Sequence, residues 1–577
     1  MCEKVAWRCV IMSHAWLKQY PDKVGPSIEI PEEMCIASLL ESTCKKFAAK
    51  KALTCMGTSL TFRQYDSLAN DFAAYLQTDA KLAKGDRIAV MLPNIIQFPI
   101  ALFAANKIGA VCVNTNPLYT PREMKHQFAD SGAKVIIILD MFVDKLQEII
   151  KDTAIETVIV TSIGDQHAGV KGLIIDTVLK LKGQIPKHTL PFTSFKSALR
   201  TGSSKSFTKP RMKLDDIAVL QYTGGTTGLS KGAMLTHRNI IGNVKQIQAW
   251  ASPYVSEGEE VILTALPLYH IFALTVNFLS FFTLGGEMIL VPKPVPIINT
   301  VKIFKKYRIT VMTGINTLYN ALNNNPEFQA NPPRSLKFAL AGGMALQSSV
   351  GEAFEKLTGT RVVEGYGLTE SSPVTHCNPL HIAVPLGSIG VPLPSTLAEI
   401  RDEEGKPLPT GEVGELAVKG PQIMLGYWQK DDETKATIRD GWLFTGDMAK
   451  MDDKGFFYIV DRKKDMVLVS GFNVYPNEVE NVIMGNPKVL EVAVIGVLDQ
   501  HSGEAVKAFV VKKDQSLTEE ELKRFQLGKN LSESKPELPR SLDSVCPACG
   551  DTMSLDQSPE VYLSFLKNSY KHGSQAS

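Results

Sequence analysis

Four short runs constrain the fold more than anything else in the chain: "RIAVML" (Arg87–Leu92), "KVIIIL" (Lys134–Leu139), "TVIVT" (Thr157–Thr161) and "VILTALPL" (Val261–Leu268). A strand that is apolar at nearly every position must be covered on both faces, as strands of a parallel sheet are. Between these runs lie helical patterns, such as Pro99–Lys107, with its proline at the first position, and Pro121–Asp130. Strand and helix in alternation predict an α/β fold with a parallel sheet. At 577 residues the chain has room for two to four domains, and its 44% hydrophobic content fills large cores. From Gly387 to Tyr458 the texture changes to short strands between turn signals, "DEEGKPLPTGEVGE" and "DDKGFF", which predicts a small β-rich subdomain. After Asp461 come "DRKKD", a strand-like "MVLVSG", a helix over Pro476–Met484 and a strand over Val492–Val497. That is a compact C-terminal module. There is no internal repeat.

Charge and cysteine usage narrow the class. Sixty-two basic against sixty acidic residues leave a net charge of +2, which argues against nucleic acid as a partner bound through bulk charge. The nine cysteines are scattered and mostly embedded in apolar runs, as expected of reduced thiols in a cytoplasmic protein. The first residues, "MCEKVAWRCVIMSHAW", are interrupted by Lys4, Arg8 and His14 and do not read as a signal peptide. The apolar segments Met91–Asn114 and Ile271–Leu284 read as core, because the first carries polar residues and the second is too short to span a bilayer.

The chemistry is concentrated in "YTGGTTGLSKGAMLTHRN" (Tyr222–Asn239), with four glycines and four threonines among eighteen residues. Glycine lets backbone N–H groups turn inward and lets a ligand approach closely; threonine hydroxyls add donors and Lys231 a point charge. Such a loop suits a polyphosphate. It is not the Walker pattern, which requires Gly-Lys-Ser/Thr, whereas here Lys231 follows Ser230.

With this loop stand "ALPLYHIFAL" (Ala265–Leu274), "EGYGLTE" (Glu364–Glu370), "GWLFTGD" (Gly441–Asp447) and "DRKKDMVLVSGFNVYPNEVE" (Asp461–Glu480). In these five motifs and their order the chain resembles the adenylate-forming superfamily of acyl-CoA synthetases, luciferases and peptide-synthetase adenylation domains. The likeness runs from about Trp16 to about Glu521 and is greatest to the bacterial long-chain-fatty-acid ligases. It implies a large N-terminal domain of two α/β subdomains plus the β-rich one, followed by a smaller, mobile α+β C-terminal domain. The boundaries expected are 1–15 for an extension, 16–460 for the adenylation domain, 461–524 for the mobile domain and 525–577 for a divergent tail.

The resemblance also implies roles. ATP, Mg²⁺ and coenzyme A are the expected cofactor and co-substrates, and a fatty acid is the substrate. Thr223, Gly224, Gly225, Thr226, Thr227, Gly228 and Lys231 are expected to hold the β- and γ-phosphates, and Thr369 the α-phosphate. Glu370 is expected to bind Mg²⁺. Gly342, Gly343 and Tyr366 would frame the adenine, and Asp447 and Arg462 would hold the ribose. His270 belongs at the junction of acyl carboxylate and nucleotide. Lys464 is the expected hinge, and Gly471 would let the pantetheine arm pass. Ile271–Leu284, with Met312, Gly314 and Tyr319, are expected along an acyl tunnel. Location is expected to be cytoplasmic, with reversible contact at the inner membrane surface, and a homodimer is left open.

The tail departs from the family. A "PKSxxGK"-like segment there ends in a lysine that reaches the adenylation site. Here "ELPRS" (Glu537–Ser541) resembles its start, but "LDSVCPACGDTMS" follows with no lysine in register. Slow adenylation is the expected consequence. Cys546 and Cys549 form a lone "CPAC" with too few further ligands to predict zinc. Two alternatives stand beside the long-chain ligase: a ligase for shorter or aromatic acids, and a non-catalytic acyl- or nucleotide-binding relic.

Overall fold

The computed structural model describes residues 14–167, 169–223, 230–385, 387–469, 472–499, 503–522, 525 and 560–565. Six of the expected site residues, Gly224, Gly225, Thr226, Thr227, Gly228 and Gly471, lie outside these, as do Cys546, Cys549 and most of the tail. The chain divides into two units. One comprises Met1–Glu399, Ala417–Thr445 and Met451–Phe457; the other comprises Ile400–Leu416, Gly446–Lys450 and Tyr458–Ser577.

The first unit contains two large sheets. In the eight-stranded one the order is Gly426–Tyr427, Lys231–Thr236, Ile217–Thr223, Val111–Asn114, Arg87–Met91, Val135–Leu139, Thr157–Thr161 and Thr193–Ser194. The predicted apolar runs pair in parallel, Ile88 with Val135 and Ile136 with Val158. All five positions of Val135–Leu139 are buried, which is why the run shows no polar alternation. The helix expected from Pro99 begins at Gln97, so Pro99 sits in its first turn, where a missing N–H is tolerated. Its last residue, Lys107, is buried because Glu41 and Asp66 neutralise it at 2.8 and 2.9 Å. The next helix, Pro121–Ser131, opens on a Thr120/Glu123 capping box and stops at Gly132, whose φ of 60° is left-handed.

The nine-stranded sheet has the order Val391–Pro392, Val374–Cys377, Val362–Gly367, Phe338–Ala341, Val311–Gly314, Val261–Thr264, Glu287–Leu290, Lys51–Cys55 and Thr58–Thr61. The strand expected over Val261–Leu268 ends at Thr264. Beyond it the Asn94 side chain replaces a neighbouring strand, donating to the Thr264 and Leu266 carbonyls and accepting from Leu268 N–H. The backbone is thus satisfied without a ladder, and it is led on to Tyr269 and His270. The next segment, Ala273–Phe281, is a π-helix with all nine residues buried, a rare conformation concentrated at functional sites.

A five-stranded sheet comprises Leu397–Arg401, Gly414–Lys419, Trp442–Met451, Ile438–Arg439 and Phe457–Arg462. The second unit adds the hairpin Val467–Val469/Phe472–Val474, the helix Pro476–Met484 and the long antiparallel pair Val489–Asp499/Gly503–Lys512. Its core gathers Val467, Ile483, Val494, Val506 and Val510. Glu560–Phe565 pairs antiparallel with Gly503–Lys512, Val506 opposite Phe565. Among the described residues no helix is long and apolar enough to cross a membrane. Cys35, Cys44, Cys55, Cys112 and Cys377 are buried free thiols.

Candidate active site

In the first unit, the expected residues gather where parallel strands end. Ala341 precedes Gly342–Gly343, Gly367 precedes Thr369–Glu370, and Thr264 leads to His270. Loops at the carboxyl ends of parallel strands are where α/β sheets bind ligands. Thr223 and Lys231 face each other across the base of an antiparallel hairpin, so the glycine-threonine loop springs from a fixed frame. Tyr222 stiffens that base by donating to Asp130 Oδ2 at 2.5 Å. Gly232 makes room for the Tyr222 ring, which a Cβ there would meet at 3.1 Å.

Glu370 lies in the short 3₁₀ turn Thr369–Ser371. A Cβ at the preceding Gly367 would overlap the Pro373 carbonyl, so the tight return of the chain requires glycine there. The segment Met424–Tyr427 holds Glu370 twice: Met424 N–H donates to its carbonyl at 2.8 Å and Tyr427 OH to Oε1 at 2.7 Å. The Tyr427 ring also carries the Lys231 ammonium 5.2 Å from its centroid. That ammonium makes an ion pair with Glu433. Burial, and then the Glu370 charge, push the Tyr427 phenol up, so it stays a donor. Glu370, Tyr427, Lys231 and Glu433 therefore form one connected polar chain.

On the other side, the Phe272 ring comes within 3.2 Å of where a Gly342 Cβ would stand, and the Gly365 carbonyl within 3.0 Å. Gly343 has a φ of 78°. The adjoining Tyr366 is half-buried, its ring edge-on to His376 at 5.9 Å. Glu364, at the start of the same motif, accepts from Leu346 N–H at 2.8 Å and ties the glycine turn to the strand. Burial pushes its carboxyl up to about 7, against the pull of that hydrogen bond. His270 is open to solvent on one side, but surrounding protein desolvates the ring and lowers its pKa. Its Nδ1 accepts from Phe272 N–H at 3.3 Å, leaving the proton of the neutral ring on Nε2. Gln221, on the hairpin strand, donates to the Tyr269 carbonyl at 2.9 Å and links this loop to the first.

An apolar cavity of ≈ 20 Å³ lies among Ile247, Trp250, Val276, Phe281, Leu340 and Val374, with no charged lining. Val276 and Phe281 belong to the π-helix, within the Ile271–Leu284 run expected along an acyl tunnel. Met312 and Tyr319 do not line this cavity. They are packed in a core cluster, the Tyr319 hydroxyl donating to the Leu340 carbonyl and its ring filling the space beside Gly314.

The second unit holds Asp447, Arg462 and Lys464. Arg462 Nε stands 3.8 Å from Asp447 Oδ1, the acid nearly buried and the base exposed. Lys464 follows in an exposed turn, its ammonium 3.7 Å from Asp465. The neighbouring Lys463 anchors that turn through Glu415 at 3.2 Å. Among the described residues there is no cluster of three metal-ligating side chains. A lone Glu370 carboxylate is nevertheless the donor set that suits Mg²⁺ arriving on a polyphosphate, which supplies most of the oxygens itself.

Sequence reasoning missed Tyr427, Glu433 and the tether at Glu364. Tyr427 sits in "LGYW", and only its pairing opposite Ala233 brings it to the site; nothing local marks it. Glu364 carried a signal, as a carboxylate opening a strand-end glycine motif.

Residues 40–428 match the family described as AMP-binding enzyme, and 478–534 match the AMP-binding enzyme C-terminal domain. The chain belongs to this adenylate-forming family. It is 49% identical to the long-chain-fatty-acid–CoA ligase of Escherichia coli O6:H1, over 92% of this chain and 96% of that one. The Salmonella typhimurium long-chain-fatty-acid–CoA ligase is 50% identical over 89% of this chain and 92% of its own. The crystal structure of ATP-bound MatB from Rhodopseudomonas palustris superposes with a TM-score of 0.74 at 29% identity, covering 86% and 92% of the two chains.

Proposed function

We propose that this protein converts long-chain fatty acids to acyl-CoA, and that the observation carrying this is 49% identity to a long-chain ligase over 92% of the chain. The acid's carboxylate oxygen attacks the α-phosphorus of ATP, the bond to pyrophosphate breaks, and an acyl-adenylate forms. The thiol of coenzyme A then gives its proton to solvent, its sulfur attacks the acyl carbon, and the carbon–oxygen bond to AMP breaks.

The glycine-threonine loop with Thr223 and Lys231 receives the leaving phosphates, where fixed donors are worth most as charge develops. Lys231 exchanges Glu433 for phosphate oxygen. Glu370, oriented by Tyr427, would hold Mg²⁺, which would supply positive charge to the nucleotide's phosphates. Thr369 donates to the α-phosphate. His270 offers its Nε2 proton to the acyl carboxylate and orients it for attack. Gly342 and Gly343 leave a flat face for adenine beside Tyr366, and Asp447 with Arg462 holds the ribose. Lys464 is the hinge and Gly471 the passage for the pantetheine arm. The aliphatic and aromatic cavity wall supports a long acyl chain, since each buried methylene contributes about 0.8 kcal/mol. A substrate that partitions into bilayers supports reversible contact with a membrane surface.

The test is acyl-CoA formation by purified protein from oleate, ATP and coenzyme A, run beside octanoate and benzoate. Preference for benzoate would replace this reading with the aromatic one. Absence of ATP–pyrophosphate exchange with every acid would make the protein a binding relic.

A further inference from the structure

The helix Val170–Leu181, "VKGLIIDTVLKL", is mounted inside out. Val170, Leu173, Ile174, Val178 and Leu181 are exposed by 69, 68, 56, 42 and 82%. At 3.6 residues per turn they share an arc of about 140° along a helix about 18 Å long. The opposite face carries the half-buried Ile175 and Leu179 and is fastened to the body through Gly172 and Asp176. Gly172 is the one buried position, its backbone pressed on the Gly164 and His167 carbonyls. Asp176, the helix's lone acid, turns inward to accept from Ser162 Oγ and Gly164 N–H, both at 2.9 Å. The apolar stripe is therefore presented outward by specific bonds.

Charge says what covers it. At helical spacing Lys180 falls on one flank of the stripe and Lys171 and Lys182 on the other. The ammoniums of Lys171 and Lys306 converge at Gly57, 3.3 and 3.0 Å from where its Cβ would stand. Lys171 donates to the Met56 carbonyl, and Met56 is itself 45% exposed. No ion pair among the described residues takes up Lys171, Lys180, Lys182 or Lys306. An apolar stripe between unpaired lysines fits an anionic bilayer, with aliphatic side chains entering the acyl boundary and ammoniums meeting the phosphates.

We infer that the outward face of Val170–Leu181, with Met56, Lys171 and Lys306 at its end, is the surface by which this protein rests on an anionic lipid bilayer. The inference rests on the membrane contact proposed above and gives it a place. The experiment is flotation of the full chain with vesicles of phosphatidylcholine alone or mixed with phosphatidylglycerol. The wild type is expected to float with the mixed vesicles and to be released by high salt. The triple variant Leu173→Gln/Ile174→Gln/Val178→Gln is expected to lose vesicle binding about fivefold or more, while octanoate in solution is activated as before. Lys171→Gln/Lys306→Gln is expected to lose the preference for the anionic mixture. Leu181→Asp, at the most exposed position, repeats the test should the triple variant melt early. Flotation by the wild type that none of these changes weakens would overturn this surface and leave membrane contact standing. A wild type that never floats would overturn both. A wild type that is dimeric by light scattering, with a monomeric triple variant, would assign the stripe to a second copy instead.

Discussion

At the scale of single residues, Tyr427 and Glu364 each fasten a neighbouring group by one hydrogen bond, to Glu370 Oε1 and from Leu346 N–H. Tyr427 is the joint between the acid expected to hold Mg²⁺ and the base expected to hold phosphate. Hydrogen bonds to charged groups contribute about 1.5–3 kcal/mol. Tyr427→Phe keeps the ring under Lys231 and removes the bond to Glu370. We expect KM for Mg-ATP to rise about tenfold, equivalent to about 1.4 kcal/mol, with melting little changed. An unaltered KM across a magnesium titration would take Tyr427 out of the site. Glu364 predicts a pH effect. Its folded-state pKa, raised to about 7 by burial, exceeds its unfolded value. The folded chain thus holds the proton more tightly, and that stabilisation is complete below the unfolded pKa. It is lost as pH rises through about 7. Glu364→Gln retains an oxygen for Leu346 N–H and has nothing to titrate. We expect the decline of wild-type melting temperature between pH 5 and 8 to flatten in this variant. Parallel profiles would mean the carboxyl is already ionised.

At the scale of elements, the π-helix Ala273–Phe281 links the apolar cavity to the packing of the sheet. It sends Val276 and Phe281 to the apolar cavity and places Asn277 where its carboxamide accepts from Thr313 at 2.8 Å. The cavity's ≈ 20 Å³ is smaller than an acyl chain, so on the proposed reading a chain enters it only as the surrounding side chains move. Val276→Phe would occupy that space. We expect kcat/KM to fall about tenfold or more for palmitate and oleate, and far less for octanoate, as each methylene refused forfeits about 0.8 kcal/mol. An equal loss for all chain lengths would instead mean general damage to packing. Elements of this kind mark the limit of what could be read in advance. The parallel strands were legible because double-sided burial leaves an unbroken apolar run. The glycine motifs were legible because close backbone approach permits little else. Ala273–Phe281 read only as an uncharged apolar segment, since the same composition serves an α- or a π-helix. Val170–Leu181 was no more legible, because apolar periodicity does not say whether a face is covered. Tyr427 and Glu433 depend on a strand pairing about 190 residues distant in sequence, which no local pattern encodes.

At the scale of the whole molecule, the two half-reactions divide the work between different parts of the chain. On the proposed reading adenylation draws on the first unit's hairpin, Glu370 and His270, and by family resemblance on a lysine near the end of the C-terminal domain. Thioester formation by the same resemblance draws on Gly471. The segment after Ser541 carries no lysine in register with the family's. A transition-state contact of that kind is worth roughly 3–4 kcal/mol, by analogy with lost oxyanion donors. We therefore expect single-turnover formation of acyl-adenylate to run roughly 100- to 1000-fold more slowly than in a relative with the lysine. Thioester formation from pre-made acyl-adenylate and coenzyme A is expected at an ordinary rate, because its groups are present. The second unit supports this with its own core around Val467, Ile483 and Val506. Pyrophosphate release and AMP release, timed separately, report the two steps. Rapid pyrophosphate release would show that another cation, Lys529 or Arg540, has taken over the role. Equal slowing of both steps would place the fault in the C-terminal domain as a whole rather than in one missing charge.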